Sequence, residues 1–252
     1  MIRMAVIPIA LTLLAAPAAA AEVKVISAGA VRGIIGGMIE DYSRQTGIKF
    51  AFTVGPTGML RKAIASGEPA DLIIASGGLM QELEQTGKMT PGSRTDLGRI
   101  GLGFVVRAGA PAPDISTPEA FKQALINAHS IAYTDPAAGG VSTLHLMVLA
   151  ERFGIKDMVI KKGVHATGGN DAVAKVAQGK AEITVTLISE IHDPGARLVA
   201  PLPPALQNYT LYAAAIPAAS TDPAAARAFV AALTSPALAA RWTAAGFEPP
   251  GK

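Results

Sequence analysis

Short apolar runs and longer amphipathic stretches follow one another along this chain in a repeating order. From Val23 a β-rich run passes into the small residues Ala28, Gly29 and Ala30, then into apolar positions at helical spacing that stop at Gly47. This predicts strand, tight loop, helix and glycine terminator. A second unit runs from the strand 49–54 through the loop 55–58 to Gly67, and a buried strand at 71–76 follows. The third begins with a strand at 130–134, turns through 135–140 and carries a helix that closes at Gly154. For the fourth, a strand over 159–164 leads through Gly168, Gly169 and Asn170 into a helix ending at Gly179, with a matching strand at 183–188.

Strands alternating with helices of about ten residues imply crossover units, so the expected class is α/β, with mainly parallel sheets flanked by helices. The second and fourth units echo each other, which points to two similarly built lobes. Residues 22–103 and 206–252 are assigned to the first and 104–205 to the second. An apolar strand over 99–111 and the segment 208–217 carry the chain between lobes, which makes a hinge of two connections. Helix openings at Thr117 with Pro118, Asp222 with Pro223 and Ser235 with Pro236 read as packing elements. Trp242 and Phe247 are expected in the core.

Composition narrows the function. The chain has 252 residues, 50% of them hydrophobic, and a formal net charge of +3. That balance argues against a disordered chain, and the basic residues form no run of the kind nucleic acid selects. With no cysteine, disulfides, thiolate catalysis, Cys-ligated zinc and lipidation of an N-terminal Cys are excluded. Residues 1–21 carry Arg3, an apolar stretch over 5–15 broken by Pro8, then Pro17 and small residues at Ala18, Ala19 and Ala20. This is the pattern of a secretory signal peptide, shorter than the roughly 20 unbroken apolar residues of a membrane span. The mature protein is therefore expected in the periplasm, without a membrane anchor, and as a monomer.

The four loops are the chemically informative feature. In an open parallel sheet, ligands bind beyond the carboxyl ends of the strands, where loops open into helices whose first N–H groups lack partners. Helix N-termini favour anions. Two such loops from each lobe would surround a small anion with donors. Arg32, Arg61, Ser142, His145 and Asn170 stand near these loops, and an arginine pairs well with a carboxylate.

The segments VKVISAGAV, GPTGMLRKAIASGEPADLIIAS and SIAYTDPAAGGVS, together with the Gly-Gly-Asn helix start, resemble the periplasmic molybdate-binding proteins of ABC importers. The resemblance runs from about Val23 to Phe247. It implies a two-lobed type II periplasmic-binding fold closing on an oxyanion held by backbone N–H groups, two hydroxyls of the first lobe and a tyrosine of the second. Carried over, the hydroxyl positions fall on Ala30 and on Thr57 or Gly58, the tyrosine on Leu187, and the backbone donors near Val141 and at Gly169 or Asn170. Ala30 and Leu187 have no donor to offer, which opens the site to a small organic acid.

The resulting expectation is a substrate-binding protein that captures a small anion, molybdate-like or carboxylate, with Gly29, Ala30, Arg32, Thr57, Gly58, Val141, Ser142, Gly169 and Asn170, and delivers it to an inner-membrane ABC permease. The alternative is an enzyme on the same scaffold, since aconitate isomerase is also similar to this family. Allylic proton transfer needs a base beside the substrate and donors for the developing charge. His145, one turn after Ser142, is the expected base, ahead of Tyr133 and Tyr209. Asp71, Glu190 and Asp193 read as structural or solvated carboxylates. His129, His165 and His192 lack metal-ligand spacing, so neither metal nor cofactor is expected, and no phosphate-loop, serine-elbow or dinucleotide motif follows a strand.

Overall fold

The computed structural model describes residues 22–251, so the expected signal peptide lies outside the described residues. The chain folds as two five-stranded mixed sheets flanked by helices. In the first lobe, β1 (Glu22–Ala28), β2 (Lys49–Gly55), β3 (Leu72–Ser76) and β4 (Thr95–Ile100) alternate with α1 (Gly29–Thr46), α2 (Thr57–Ala65) and α3 (Gly77–Gln85). The second lobe holds β5 (Leu102–Arg107), α4 (Pro118–Asn127), β6 (Ile131–Thr134), α5 (Val141–Arg152), α6 (Lys156–Lys161), β7 (Gly163–Ala166), α7 (Gly169–Ala177), β8 (Ile183–Leu187) and β9 (Ala196–Pro201). Then β10 (Thr210–Ala215) returns to the first sheet, and α8 (Pro223–Leu233) and α9 (Pro236–Ala244) close the chain.

The sheet orders are β2-β1-β3-β10-β4 and β7-β6-β8-β5-β9. Each contains one reversed strand: β10 is antiparallel to β3 and β4, and β5 is antiparallel to β8 and β9. The reason lies in the crossings. Both β4 and β9 end at the cleft, so the strand that continues each of them enters the other lobe from the cleft and runs away from it. A mainly parallel pattern with one reversal per sheet follows directly from a two-connection hinge.

The expected single strand over 99–111 divides at Gly101, because β4 pairs with β10 whereas β5 pairs with β8 from Leu102 onward. The lobe boundary drawn at 103/104 therefore falls inside β5, and the crossing is at Gly101. A second correction concerns 159–164. Lys156–Lys161 is helical, and the strand begins at Gly163. The β-branched pair at Val159 and Ile160 misled there, since Val159 faces the core of a short helix.

Burial explains the remainder. Central β3 is buried along its full length, as a strand covered by helices on both faces must be. Helix α1 ends at Gly47 with φ 75°, its N–H bonded to the Ser43 carbonyl. Thr117 and Asp222 cap α4 and α8 by accepting from Ala120 and Ala225 N–H, whereas Ser235 makes no such bond. Trp242 and Phe247 are buried, and the indole donates to the Leu233 carbonyl at 2.9 Å.

Candidate functional site

A cavity of about 290 Å3 lies between the lobes. The helices α1, α2, α5 and α7 begin at its wall, after the carboxyl ends of β1, β2, β6 and β7. None of the four starts has a side-chain cap; the residues before them are Ala28, Pro56, Gly140 and Gly168. Helices α3, α6 and α9 also lack such a cap but do not border the cavity. Convergence, rather than the missing cap, distinguishes the four. It brings four sets of first-turn N–H groups to one volume, a favourable setting for negative charge.

Of the residues expected at the site, Gly29, Ala30, Arg32, Thr57, Val141, Ser142, Gly169 and Asn170 line this cavity. The two apolar replacements, Ala30 and Leu187, both face it. Gly58 stands just outside the lining, where the lobes touch. A Cβ built on it would lie 2.5 Å from the Ala138 carbonyl oxygen of the opposite lobe, so only glycine permits this approach. Arg61 is not at the cavity; its guanidinium is held on the surface by Glu82 at 2.9 Å.

The expected base is displaced. His145 does not line the cavity, and its Nε2 donates to the Leu206 carbonyl at 2.7 Å. Although one turn beyond Ser142 lies on nearly the same face of α5, the His145 ring reaches the returning chain at Leu206 and not the cavity. Tyr133 is buried against Gly163, and Tyr209 is a surface residue stacked under Arg99 at 4.8 Å. No tetrad or triad of metal-ligating side chains forms among the described residues.

Three titratable residues in the lining, Glu190, Tyr212 and Asp171, have no counterpart among the expected site residues. Glu190, read from sequence as structural or solvated, follows β8 in a single 3-10 turn (Ile188–Glu190) and is 7% exposed. Its carboxyl accepts from the Thr186 hydroxyl and the Leu187 N–H. Burial nevertheless pushes its pKa above the ordinary carboxylate value, outweighing those two bonds. The carboxyl reaches both lobes: Oε1 lies 3.8 Å from a Cβ placed on Gly29, and one on Gly169 would sit 1.8 Å from Oε2. Gly169 is thus needed for Glu190 to occupy this place. The second is Tyr212 on β10, 2% exposed, whose phenol is pushed up by burial and by the neighbouring Glu190 charge.

The rule that ligands meet the carboxyl ends of parallel strands, applied to β8 as well as to the four loops, points to 188–190. Nothing in the sequence pattern marks Tyr212, because a reversed strand presents its start to the cleft. Asp171 also borders the cavity. Although burial works against it, the Thr167 N–H and Lys175 hold its carboxyl below the usual range.

A family model described as bacterial extracellular solute-binding protein matches residues 23–248. The chain belongs to that family. The aconitate isomerase of a Pseudomonas species is 35% identical over 231 residues, which cover 86% of each chain. Among solved structures, the periplasmic molybdate-binding protein of Azotobacter vinelandii superposes with a TM-score of 0.76 at 21% identity, over 91% of this chain and 100% of that one. The sulfate-binding protein SubI of Mycobacterium tuberculosis H37Rv gives 0.71 at 18%, covering 91% of this chain and 87% of its own. These neighbours establish the type II periplasmic-binding fold.

Proposed function

We propose that this exported solute-binding protein takes a small polycarboxylate into the interlobe cavity and isomerises it, interconverting cis- and trans-aconitate. The observation that carries this reading is the cavity itself. It joins the Arg32 guanidinium to four uncapped helix starts, and lacks side-chain donors at Ala30 and Leu187, where a molybdate site has them. At about 290 Å3 it has the volume of roughly ten water molecules, more than one compact tetrahedral oxyanion fills. A tricarboxylate places carboxylates at several helix starts and one against Arg32, with Ser142, Thr57 and Asn170 as neutral donors. The 35% identity to a Pseudomonas aconitate isomerase over 86% of both chains supports the same chemistry.

In the second reading the protein is the receptor of an ABC importer and delivers an anion to an inner-membrane permease. Membership of the solute-binding family favours it. Both readings place the protein in the periplasm, with residues 1–21 as the export signal.

A thermal-shift panel with molybdate, sulfate, citrate, cis-aconitate and trans-aconitate, followed by a turnover assay on each aconitate, separates the readings. Ligand at a thousand times its dissociation constant stabilises by about 4 kcal/mol. The expected result is a shift with tricarboxylates and equilibration of the two aconitates. A shift with molybdate alone refutes the carboxylate site; binding of aconitate without turnover leaves the receptor.

A further inference from the structure

We propose that Glu190 is the group that carries the proton, the catalytic acid–base of the interlobe cavity. The inference rests on the polycarboxylate-isomerising reading of the cavity.

An allylic shift needs one group able to take a proton from carbon and return it to another carbon two bonds away. The titratable residues lining the cavity are Arg32 from α1, Asp171 from α7, Glu190 after β8 and Tyr212 from β10. The Arg32 guanidinium offers only N–H donors and no acceptor. Asp171 is engaged by the Thr167 N–H at 2.8 Å and by Lys175 at 3.5 Å, which keeps it ionised and weakly basic. The phenol of Tyr212 is held neutral by its burial and by Glu190. Glu190 remains. Of the two carboxyls in the lining it is the one that burial makes more basic than an ordinary carboxylate, which favours taking up a proton. Its position also fits, since the carboxyl stands between the first residues of α1 and α7, Gly29 and Gly169. Substrate carboxylates bound at those helix starts would hold their carbon chain against it.

The step is balanced within the substrate. The Glu190 carboxylate removes a proton from the methylene carbon next to the double bond. The freed electron pair forms a new double bond to the central carbon, and the former π pair moves towards the carboxylate at the far end, where helix N–H groups stabilise the charge. Glu190, now protonated, returns its proton to the former vinylic carbon. The new double bond closes with its carboxylates cis or trans, and no oxidant, reductant or co-reactant takes part.

The test is Glu190→Gln, assayed with trans-aconitate for turnover and with the saturated analogue tricarballylate for binding. The expected result is a loss of kcat of roughly 10²- to 10⁴-fold with an undiminished tricarballylate thermal shift. Turnover by this variant within threefold of wild type overturns the assignment and leaves the isomerase reading standing. If the wild type binds both aconitates and converts neither, the isomerase reading falls and takes this inference with it. Should the variant not fold, the wild-type pH profile decides. A rise in kcat/KM with pH whose midpoint lies well above the ordinary glutamate value of 4.5 supports Glu190, and a flat profile or a midpoint near that of an ordinary carboxylate overturns it.

Discussion

Two buried carboxyl groups, one in each lobe, have opposite electrostatic fates. Asp71, just before β3, is 1% exposed and Glu190, after β8, is 7% exposed. Burial raises the pKa of any carboxyl, so partners decide the outcome. Asp71 accepts from five donors: the Lys24, Thr221 and Asp222 N–H groups and the Ser220 and Thr221 hydroxyls, at 2.8–3.1 Å. These outweigh desolvation and bring it to about 2. Glu190 has the Thr186 hydroxyl and the Leu187 N–H, and these do not suffice. The first group is a joint that ties the segment before α8 to β1 at Lys24; the second is left with a raised pKa. Burial alone does not separate a structural carboxylate from a reactive one; the number of donors does.

The linkage signs follow. A depressed folded pKa means that Asp71 contributes stability above its ordinary value of 3.8, lost as pH falls towards about 2. The shift corresponds to about 2 kcal/mol. A raised folded pKa makes Glu190 act in the opposite sense, with stability declining as pH rises above 4.5.

The sharpest way to break the contrast is Asp71→Asn. Its amide would set donors against donors, so urea unfolding at pH 7 should show a loss of about 3 kcal/mol, with a flattened acid limb between about pH 4 and 2. An unchanged acid limb would mean that Asp71 is not the joint. Next in size, Arg32→Ala should weaken tricarboxylate binding by about 2 kcal/mol, roughly thirtyfold by calorimetry, and leave unfolding of the free protein unaltered. Comparable losses in both measurements would make Arg32 structural.

Gly58→Ala should weaken the ligand by about 1 kcal/mol, since its Cβ meets the Ala138 carbonyl only where the lobes touch. Alanine suits α2 otherwise, so the free protein should melt no lower. A lowered melting temperature without ligand would show instead that the contact persists when the lobes are free. The smallest effect is expected from His145→Ala. Losing its bond to the Leu206 carbonyl should cost about 1 kcal/mol of stability, with affinity and turnover within twofold of wild type. A large loss of turnover would return His145 to the catalytic machinery.

Much of the fold was legible because period and punctuation are local. Runs such as Leu72–Ser76, with glycine stops at Gly47, Gly67, Gly154 and Gly179, mark strand and helix ends without reference to anything distant. Where two local signals compete, as at Val159 and Ile160, β-branching lost to the helical periodicity of a buried face. The cavity wall was legible for the same reason as the elements: Gly29, Thr57, Val141 and Gly169 are each the first residue of a helix that follows a strand.

The sequence by itself determined an α/β chain of repeated strand–loop–helix units, and that small-residue loops open its helices after the carboxyl ends of its strands. Only the tertiary structure decided which polar groups meet there. The side to which His145 turns depends on how α5 packs, not on its distance from Ser142. Tyr212 reaches the cleft because β10 enters its sheet in reverse, a consequence of the second crossing. Asp71 differs from Glu190 because distant segments, Lys24 and 220–222, bring it donors, whereas Glu190 has only the Thr186 hydroxyl and the Leu187 N–H of its own turn. Side-chain type is written in the chain, but desolvation and the count of hydrogen-bond partners exist only once residues far apart in sequence are packed together.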